Sequence, residues 1–404
     1  MLALDGYRRL FVSAAAVIFG VMGQAVARGW LARDLTGTNA GLGGVMLVFG
    51  VALLLATPWG GVAADRFPKR TVLLVSVGAL MLSSLLLGLA VVAGAVAYWQ
   101  LLAAGAVQAT AFAFYLPARI AFITELVSAE QIAQAVVLSQ TAQEAMRVVG
   151  PALAGVLIGV SWCGTGGIFL VAAATSLFAG VVLLGLPPGA PRRRVDRSPL
   201  AEMADGLDYV RGRAPIALIA LTTIGVVVVG FPYLTFLPAL ADDRFDVGAG
   251  GYGVMSGVAG LGAVVAGLLT PRSTWMAARP WRVIALSGVA LGIALAALGI
   301  AGAYPVALAV LAFVGAAGLV FQTTTQSLLL SLSDIEYHGR LQSLVVLGFS
   351  GFGLAALPLG LLADAVSLDA VLIGMGVIVV VISAAFAAAR SRQGTHLDRA
   401  AEMV

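Results

Sequence analysis

The sequence predicts an all-α integral membrane protein, with twelve transmembrane helices in two pseudo-symmetric six-helix halves. Composition is the first reason. Of 404 residues, 61% are hydrophobic and 10% charged, and the mean hydropathy is +1.03. A soluble domain carries about 25% charged residues. The second reason is the long apolar runs, each near the ~20 residues that cross a bilayer as a helix. The third is that the basic residues crowd onto one side of the resulting layout. Water-soluble globules, disordered chains and disulfide scaffolds are thereby excluded. The one cysteine, Cys163, has no second thiol to pair with.

Taken in order, apolar runs predict helices at 9–33, 41–64, 71–94, 97–123, 132–159 and 165–187, then at 214–241, 251–270, 282–302, 304–331, 341–364 and 367–389. Met1 to Leu10 reads as a short polar lead with no cleavage site. The connections are short, as between antiparallel neighbours. The largest interruption is 188–213, rich in Pro, Gly and charge, and it divides the chain into 1–187, the linker, 214–390 and a tail at 391–404. Within the linker, Leu200, Met203, Leu207 and Val210 recur at helical spacing, predicting a short amphipathic helix along the cytoplasmic face.

Of the 23 lysines and arginines, nineteen fall in connections or termini on one side. Arg33 and Arg244 fall on the other, and Arg28 and Arg147 fall inside spans. By the positive-inside rule both termini and the linker are cytoplasmic, and an even number of helices requires the termini to share a side. The expected location is a bacterial inner membrane. A faint repeat accompanies this. Gly61–Arg66 is echoed 206 residues later by Gly267–Arg272, and Pro151 by Pro358 after 207. Duplicated halves around a midplane site are an architecture of secondary transporters.

Much chemistry is excluded by what is missing. The one lysine, Lys69, follows Pro68 rather than glycine, so there is no Walker A loop. His338 and His396 sit in a loop and the tail, and no HExxH exists. G-x-S-x-G and a potassium-type filter are absent. A carrier that is passive or driven by an ion gradient remains, with no cofactor or metal and no nucleic acid expected.

Gly60-Gly61-Val62-Ala63-Ala64-Asp65-Arg66-Phe67-Pro68-Lys69-Arg70 joins predicted helices 2 and 3. Gly61 is expected to let two helices approach, and Asp65 to need a cation or a helix N-terminus. The stretch resembles the signature loop of the major facilitator superfamily, G-x-x-x-D-R-x-G-R-R. Gly61, Asp65, Arg66, Lys69 and Arg70 match, and Pro68 stands where a glycine is usual. Arg147 to Gly155 on helix 5 is similar to the superfamily's antiporter motif at Gly150, Pro151 and Gly155. Leu116-Pro117-Ala118-Arg119, His338-Gly339-Arg340, Asp34-Leu35-Thr36-Gly37 and the glycine-rich 251–262 resemble the exporter branch that holds macrolide-efflux and enterobactin-export proteins. The resemblance implies a conformational latch at Gly61, Asp65, Arg66, Lys69, Arg70, Arg119 and Arg340, and a path lined by helices 1, 4, 7 and 10.

Polar residues inside a membrane are costly and mark function. Gln140, Glu144 and Arg147 share one face of helix 5, with Gln143 beside them. Helix 1 carries Gln24 and Arg28, helix 4 Gln108, Phe112 and Tyr115, and helix 10 Gln322 and Gln326. Gln24, Arg28, Gln108, Phe112, Tyr115, Gln140, Gln322 and Gln326 are candidates for the substrate cavity. Glu144 with Arg147 is the candidate proton-coupling pair, with Asp34 as backup. A structural ion pair on helix 5 and interhelical hydrogen bonding by the glutamines are the alternative readings. The function expected is proton-coupled export of an amphipathic drug- or siderophore-like molecule by a monomer. An importer or lipid flippase on the same scaffold, or a transport-inactive receptor, is the alternative.

Overall fold

A computed structural model describes residues 4–128, 131–158, 163–189, 205, 207–270, 274–334 and 337–402. Some side chains inside these helices, Gln140, Glu144, Arg147 and Arg340 among them, lie outside the described set. The elements are α1 (Asp5–Thr36), α2 (Asn39–Arg66), α3 (Lys69–Val92), α4 (Tyr98–Leu126), α5 (Ile132–Ile158), α6 (Gly164–Leu184), α7 (Ala214–Gly230), α8 (Tyr233–Ala239), a π-helical turn (Leu240–Arg244), α9 (Gly248–Leu269), α10 (Thr274–Ala278), α11 (Pro280–Ile300), α12 (Tyr304–Ser331), α13 (His338–Ala365) and α14 (Leu368–Glu402). Among the described residues, ten helices are long and apolar enough to cross a membrane, with Ala214–Arg244 counted as one. The α5 and α13 helices, 27 and 28 residues long, stand outside that count.

Local chemistry sets the boundaries. At the end of α1, Gly37 takes φ 64° and its N–H reaches the Arg33 carbonyl, a left-handed stop that suits glycine. Thr38 then opens α2 by accepting from the Gly41 N–H at 3.0 Å, an ordinary N-cap. Phe67 and Pro68 alone separate α2 from α3, and the Pro68 carbonyl receives the N–H groups of Thr71 and Val72. Gln100 returns its side chain to the Ala97 N–H at 3.0 Å to start α4. Proline stands in the first turn of α7, α11 and α12, where its missing N–H costs nothing.

Two predicted elements differ. Predicted helix 7 (214–241) is broken: α7 stops at Gly230, Phe231-Pro232 intervene, and the segment finishes as α8 and the π turn. Pro232 removes a helical donor, and Pro238 adds a second disturbance. The tail, predicted to leave helix near 389, continues α14 to Glu402. Hydropathy ends there, but Ala, Arg, Gln and Glu are good helix formers by intrinsic propensity. In the linker, 207–211 are helical and Val210 is buried, while the predicted start at Pro199 lies outside the described residues.

The chain divides into two compact units, Met1–Leu200 with Leu237–Gly257, and Ala201–Phe236 with Val258–Val404. In the first, α1 packs on α4, α5 and α6, α3 on α4 and α6, and α2 on α4. Its core gathers Tyr7, Leu10, Leu73, Leu80, Tyr115, Phe122 and Leu183. In the second, α7 packs on α12, α13 and α14, and α11 on α12 and α14. The two sets of pairings correspond helix for helix when α1, α3, α4, α5 and α6 are matched to α7, α11, α12, α13 and α14. The α2–α4 contact also has its counterpart. Gly60 lies against the Ala113 carbonyl, while Gly262 of α9 lies against that of Ala312, and Gly315 of α12 against that of Ala259. Small residues at such crossings are how helices pack in lipid, where no hydrophobic drive pulls them together.

Candidate functional site

The signature stretch proves to be mostly helix. Gly61, Asp65 and Arg66 lie in the last turns of α2, and Lys69 opens α3. Gly61 is not the close-approach residue expected. A Cβ there would meet nothing within 4 Å, whereas one on Gly60 would overlap the α4 backbone at Ala113. The sequence offered both glycines, and helix rotation decides which faces α4. Asp65 and Arg66 are exposed, and no described cation pairs with Asp65.

Lys69 is wholly buried, and its ammonium meets Glu125 Oε1 of α4 at 2.9 Å. Arg70 donates to the Leu186 carbonyl at 2.7 Å, and its backbone N–H to that of Pro188. Arg9 donates to the Gly185 carbonyl at 2.6 Å. Two arginines therefore satisfy carbonyls just beyond the α6 C-terminus, where cations are favoured. Gly189, at φ 75°, lies over the Lys69–Glu125 pair, since a Cβ there would come within 3.1 Å of Glu125 Oε2. Glu125 was not singled out in the sequence. It is one acid among nineteen, without a spacing that marks it.

Arg119, grouped with the latch, is 2% exposed and sits inside α4 with Nε and Nη1 lacking hydrogen-bond partners. Tyr115 one turn away is fully buried, its hydroxyl likewise without a partner. Tyr7 donates to the Ala135 carbonyl at 2.8 Å, tying the start of α1 to α5. Arg340 lies outside the described side chains.

Five of the cavity candidates fall on α1 and α4. Gln24 is buried and accepts from the Ser84 hydroxyl of α3 at 3.1 Å. Arg28 and Gln108 are each 2% exposed, and neither Arg28 Nε nor Gln108 Nε2 has a partner. Phe112 is half-buried, its ring 6.2 Å from that of Tyr115. Gln322 and Gln326 are half-buried on α12 in the second unit. Gln140, Glu144 and Arg147 lie on helical backbone, and their side chains are outside the described residues. Asp34 is exposed in the last turn of α1.

Beside Asp34 stands a cluster the sequence did not announce. Arg33 pairs with Asp243 and, at 3.7 Å, with Asp242 of the π turn, and donates to the Gly37 carbonyl at 2.8 Å. A Cβ on Gly29, one turn below, would meet the Tyr252 hydroxyl at 3.1 Å and Pro238 at 3.2 Å. The helix-5 motif continues this contact. Gly150 lies against Met22 and the Phe19 carbonyl of α1, and Gly155 lies backbone to backbone on Gly253 of α9. Pro151 is inside α5.

In the second unit, the end of the linker is fastened to the α12–α13 connection. The Tyr209 hydroxyl accepts from the Asp334 N–H at 2.8 Å and bonds Asp334 Oδ2 at 3.1 Å. Arg213 pairs with Asp334 at 2.9 Å and lies over the Tyr209 ring, which stacks on Tyr337 at 3.7 Å. Among the described residues no group of His, Cys, Asp or Glu could hold a metal ion.

Comparison with known proteins bears on the family and the fold. Residues 2–403 match the model of a family described as transmembrane secretion effector. An uncharacterised MFS-type transporter, YfiS, of Bacillus subtilis is 27% identical over 45% of this chain and 43% of its own length. A staphyloferrin A transporter of Staphylococcus aureus is 24% identical over 55% of this chain and 56% of its own. The chain thus spans about half the length of these relatives. Among solved structures, a bacterial homologue of the human lysosomal transporter Spinster superposes with a TM-score of 0.75 at 14% identity, covering 96% of both chains. A nucleoside transporter, NupG, superposes at 0.74 with 15% identity, covering 95% of this chain and 99% of that one. The chain belongs to the transmembrane secretion effector family of major facilitator superfamily membrane transporters.

Proposed function

We propose that this transporter is a proton-coupled exporter of amphipathic small molecules, of drug or siderophore type, working by alternating access. In this reading it has twelve spanning helices in two six-helix halves, 1–187 and 214–390. The 188–213 linker, the 391–404 tail and both termini are cytoplasmic, and a monomer sits in a bacterial inner membrane. The observation that carries the reading is the set of contacts around the Thr36 end of α1. Arg33 holds Asp242 and Asp243 there, and α5 lies on α9 at Gly155 and Gly253. The first contact is made by charged side chains and the second by glycine backbone. In this reading the carrier parts them when it opens outward and restores them when it opens inward. The likeness to a staphyloferrin A transporter supports a siderophore-like cargo, and the helix-5 motif supports export.

Gln24, Arg28, Gln108, Phe112 and Tyr115 from α1 and α4, Gln140 of α5, and Gln322 and Gln326 of α12 are assigned to the cargo path. Glu144 with Arg147, backed by Asp34, is assigned to proton coupling. Gly61, Asp65, Arg66, Lys69, Arg70, Arg119 and Arg340 are assigned to the latch. The test is flux in proteoliposomes. A thermal-shift screen of macrolides and catecholate and citrate siderophores selects a cargo, and its uphill movement is followed under an imposed pH gradient. Collapse of that movement by a protonophore, and its loss in Glu144→Gln with cargo exchange retained, is the expected pair of results. Cargo movement indifferent to the gradient rules out proton coupling. Binding without any movement favours a receptor.

A further inference from the structure

Along α1 and α4, the buried polar atoms without partners are almost all donors. They are Arg28 Nε, Gln108 Nε2 and Arg119 Nε and Nη1, joined by the Tyr115 hydroxyl, which can donate or accept. No aspartate or glutamate is buried among the described residues. Lys69, the other buried cation there, already holds Glu125. A buried charge normally finds its counter-charge within the chain, and an unsatisfied buried polar group is rare enough to need a reason.

Arg28 and Gln108 also lie at one level. Arg28 is eight residues before the Thr36 end of α1, and Gln108 ten residues after the Tyr98 end of α4. At ~1.5 Å per residue these are depths of about 12 and 15 Å. The two ends adjoin, because the Tyr98 hydroxyl donates to the Gly41 carbonyl at 2.7 Å. The α1 and α4 helices pack directly on one another. Gln24, one turn deeper, is already committed to Ser84. The donors left over at this depth are a guanidinium and a carboxamide.

We propose that Arg28 and Gln108 anchor an anionic, acceptor-rich group on the cargo, so that the preferred cargo is an amphipathic anion. The guanidinium supplies charge and a planar fork that fits a carboxylate edge-on, and the carboxamide supplies a further N–H. The apolar remainder of the cargo meets α4 at Phe112. The assignment rests on the transport reading, since it supposes that a cargo reaches this level. An anionic lipid headgroup offers the same chemistry and is the competing source.

The test is equilibrium binding, without a gradient, in phosphatidylcholine nanodiscs. Three matched probes are titrated calorimetrically, with empty discs subtracted: 4-octylbenzoate, 4-octylbenzamide and 4-octylbenzylamine. The benzoate is expected to bind at least ~10-fold more tightly than the amide, with the amine weakest, as a charge-assisted hydrogen bond predicts. Arg28→Gln should bring benzoate and amide within about twofold, and Arg28→Lys should keep a preference of several-fold. If Arg28→Gln does not fold, Gln108→Leu decides, with an expected drop of several-fold for the benzoate and a smaller one for the amide; an unchanged benzoate affinity overturns the proposal. No benzoate preference in the wild-type protein, absence of binding by all three probes, or a preference that survives Arg28→Gln overturns the proposal. So does benzoate binding abolished when phosphatidylglycerol is added to the discs, together with Arg28-dependent stabilisation by that lipid. Failure of gradient-driven flux with the benzoate preference intact strikes the transport reading and leaves the anion site standing.

Discussion

Gly155→Ala tests whether the α5–α9 contact is a gate. The three atoms nearest an added Cβ all belong to the Gly253 backbone, and the reciprocal substitution at Gly253 meets the Gly155 backbone. No side-chain tip can swing aside, so the helices themselves must separate. Overpacking of this kind costs about 1–3 kcal/mol, and a backbone-to-backbone clash belongs at the upper end. If the sealed arrangement alone bears a cost of ~2–3 kcal/mol, the equilibrium moves toward the parted state by about 30- to 150-fold. A Gly29→Cys reporter in a Cys163→Ser background reads this, because Tyr252 and Pro238 cover that position. In detergent, its alkylation by a soluble maleimide should accelerate by at least ~10-fold in Gly155→Ala and equally in Gly253→Ala. Gly78→Ala in α3, with nothing within 4 Å, is the control and should leave the rate unchanged. Equal rates in all variants, or acceleration by Gly78→Ala, refutes the assignment of this crossing as the moving contact.

Other outcomes are expected. Glu125→Gln takes the carboxylate from a fully buried Lys69. Breaking a buried pair costs about 3–5 kcal/mol, discounted to roughly 2 kcal/mol because Glu125 is 24% exposed; the thermal midpoint should fall, and Lys69→Met with Glu125→Gln should recover most of the loss. Cysteines placed near Asp243 should be labelled by an impermeant reagent from outside intact cells and those near Arg194 should not; the reverse pattern refutes the topology. Burial pushes the Cys163 thiol up, so less thiolate is present at neutral pH; the reaction of this single cysteine with maleimide should be slow at pH 7 and speed up as pH rises through 9, and a pH-independent rate would contradict it.

The helices were legible because a spanning helix must be apolar over its whole length, and that is a property of sequence windows. Pro232 carried a readable warning, but the apolar run continued through it to Leu240 and concealed the break. Contacts between helices were not legible. Lys69 was visible as a motif residue, yet its partner Glu125 lies 56 positions on with no periodicity linking them. Gly60 and Gly61 are equivalent in sequence, and only helix rotation assigns the crossing to Gly60. Arg33 was read as an ordinary flanking cation, and its engagement with Asp242 and Asp243 depends on how the broken segment turns back. Arg28 and Gln108 were legible as polar intruders; that they lack partners could not be read from sequence.

The linker is pinned at each end. Leu186 and Pro188 are bound by Arg70, and Tyr209 is bound by Asp334. Between Gly189 and Tyr209 run 19 residues, and helix has already begun at 207 before the second anchor. Shortening the linker by several residues should leave turnover intact, and a fluorescent protein spliced into it would ride along as a passenger. The two anchor points, by contrast, are poor places to splice, because there the chain is part of the machine.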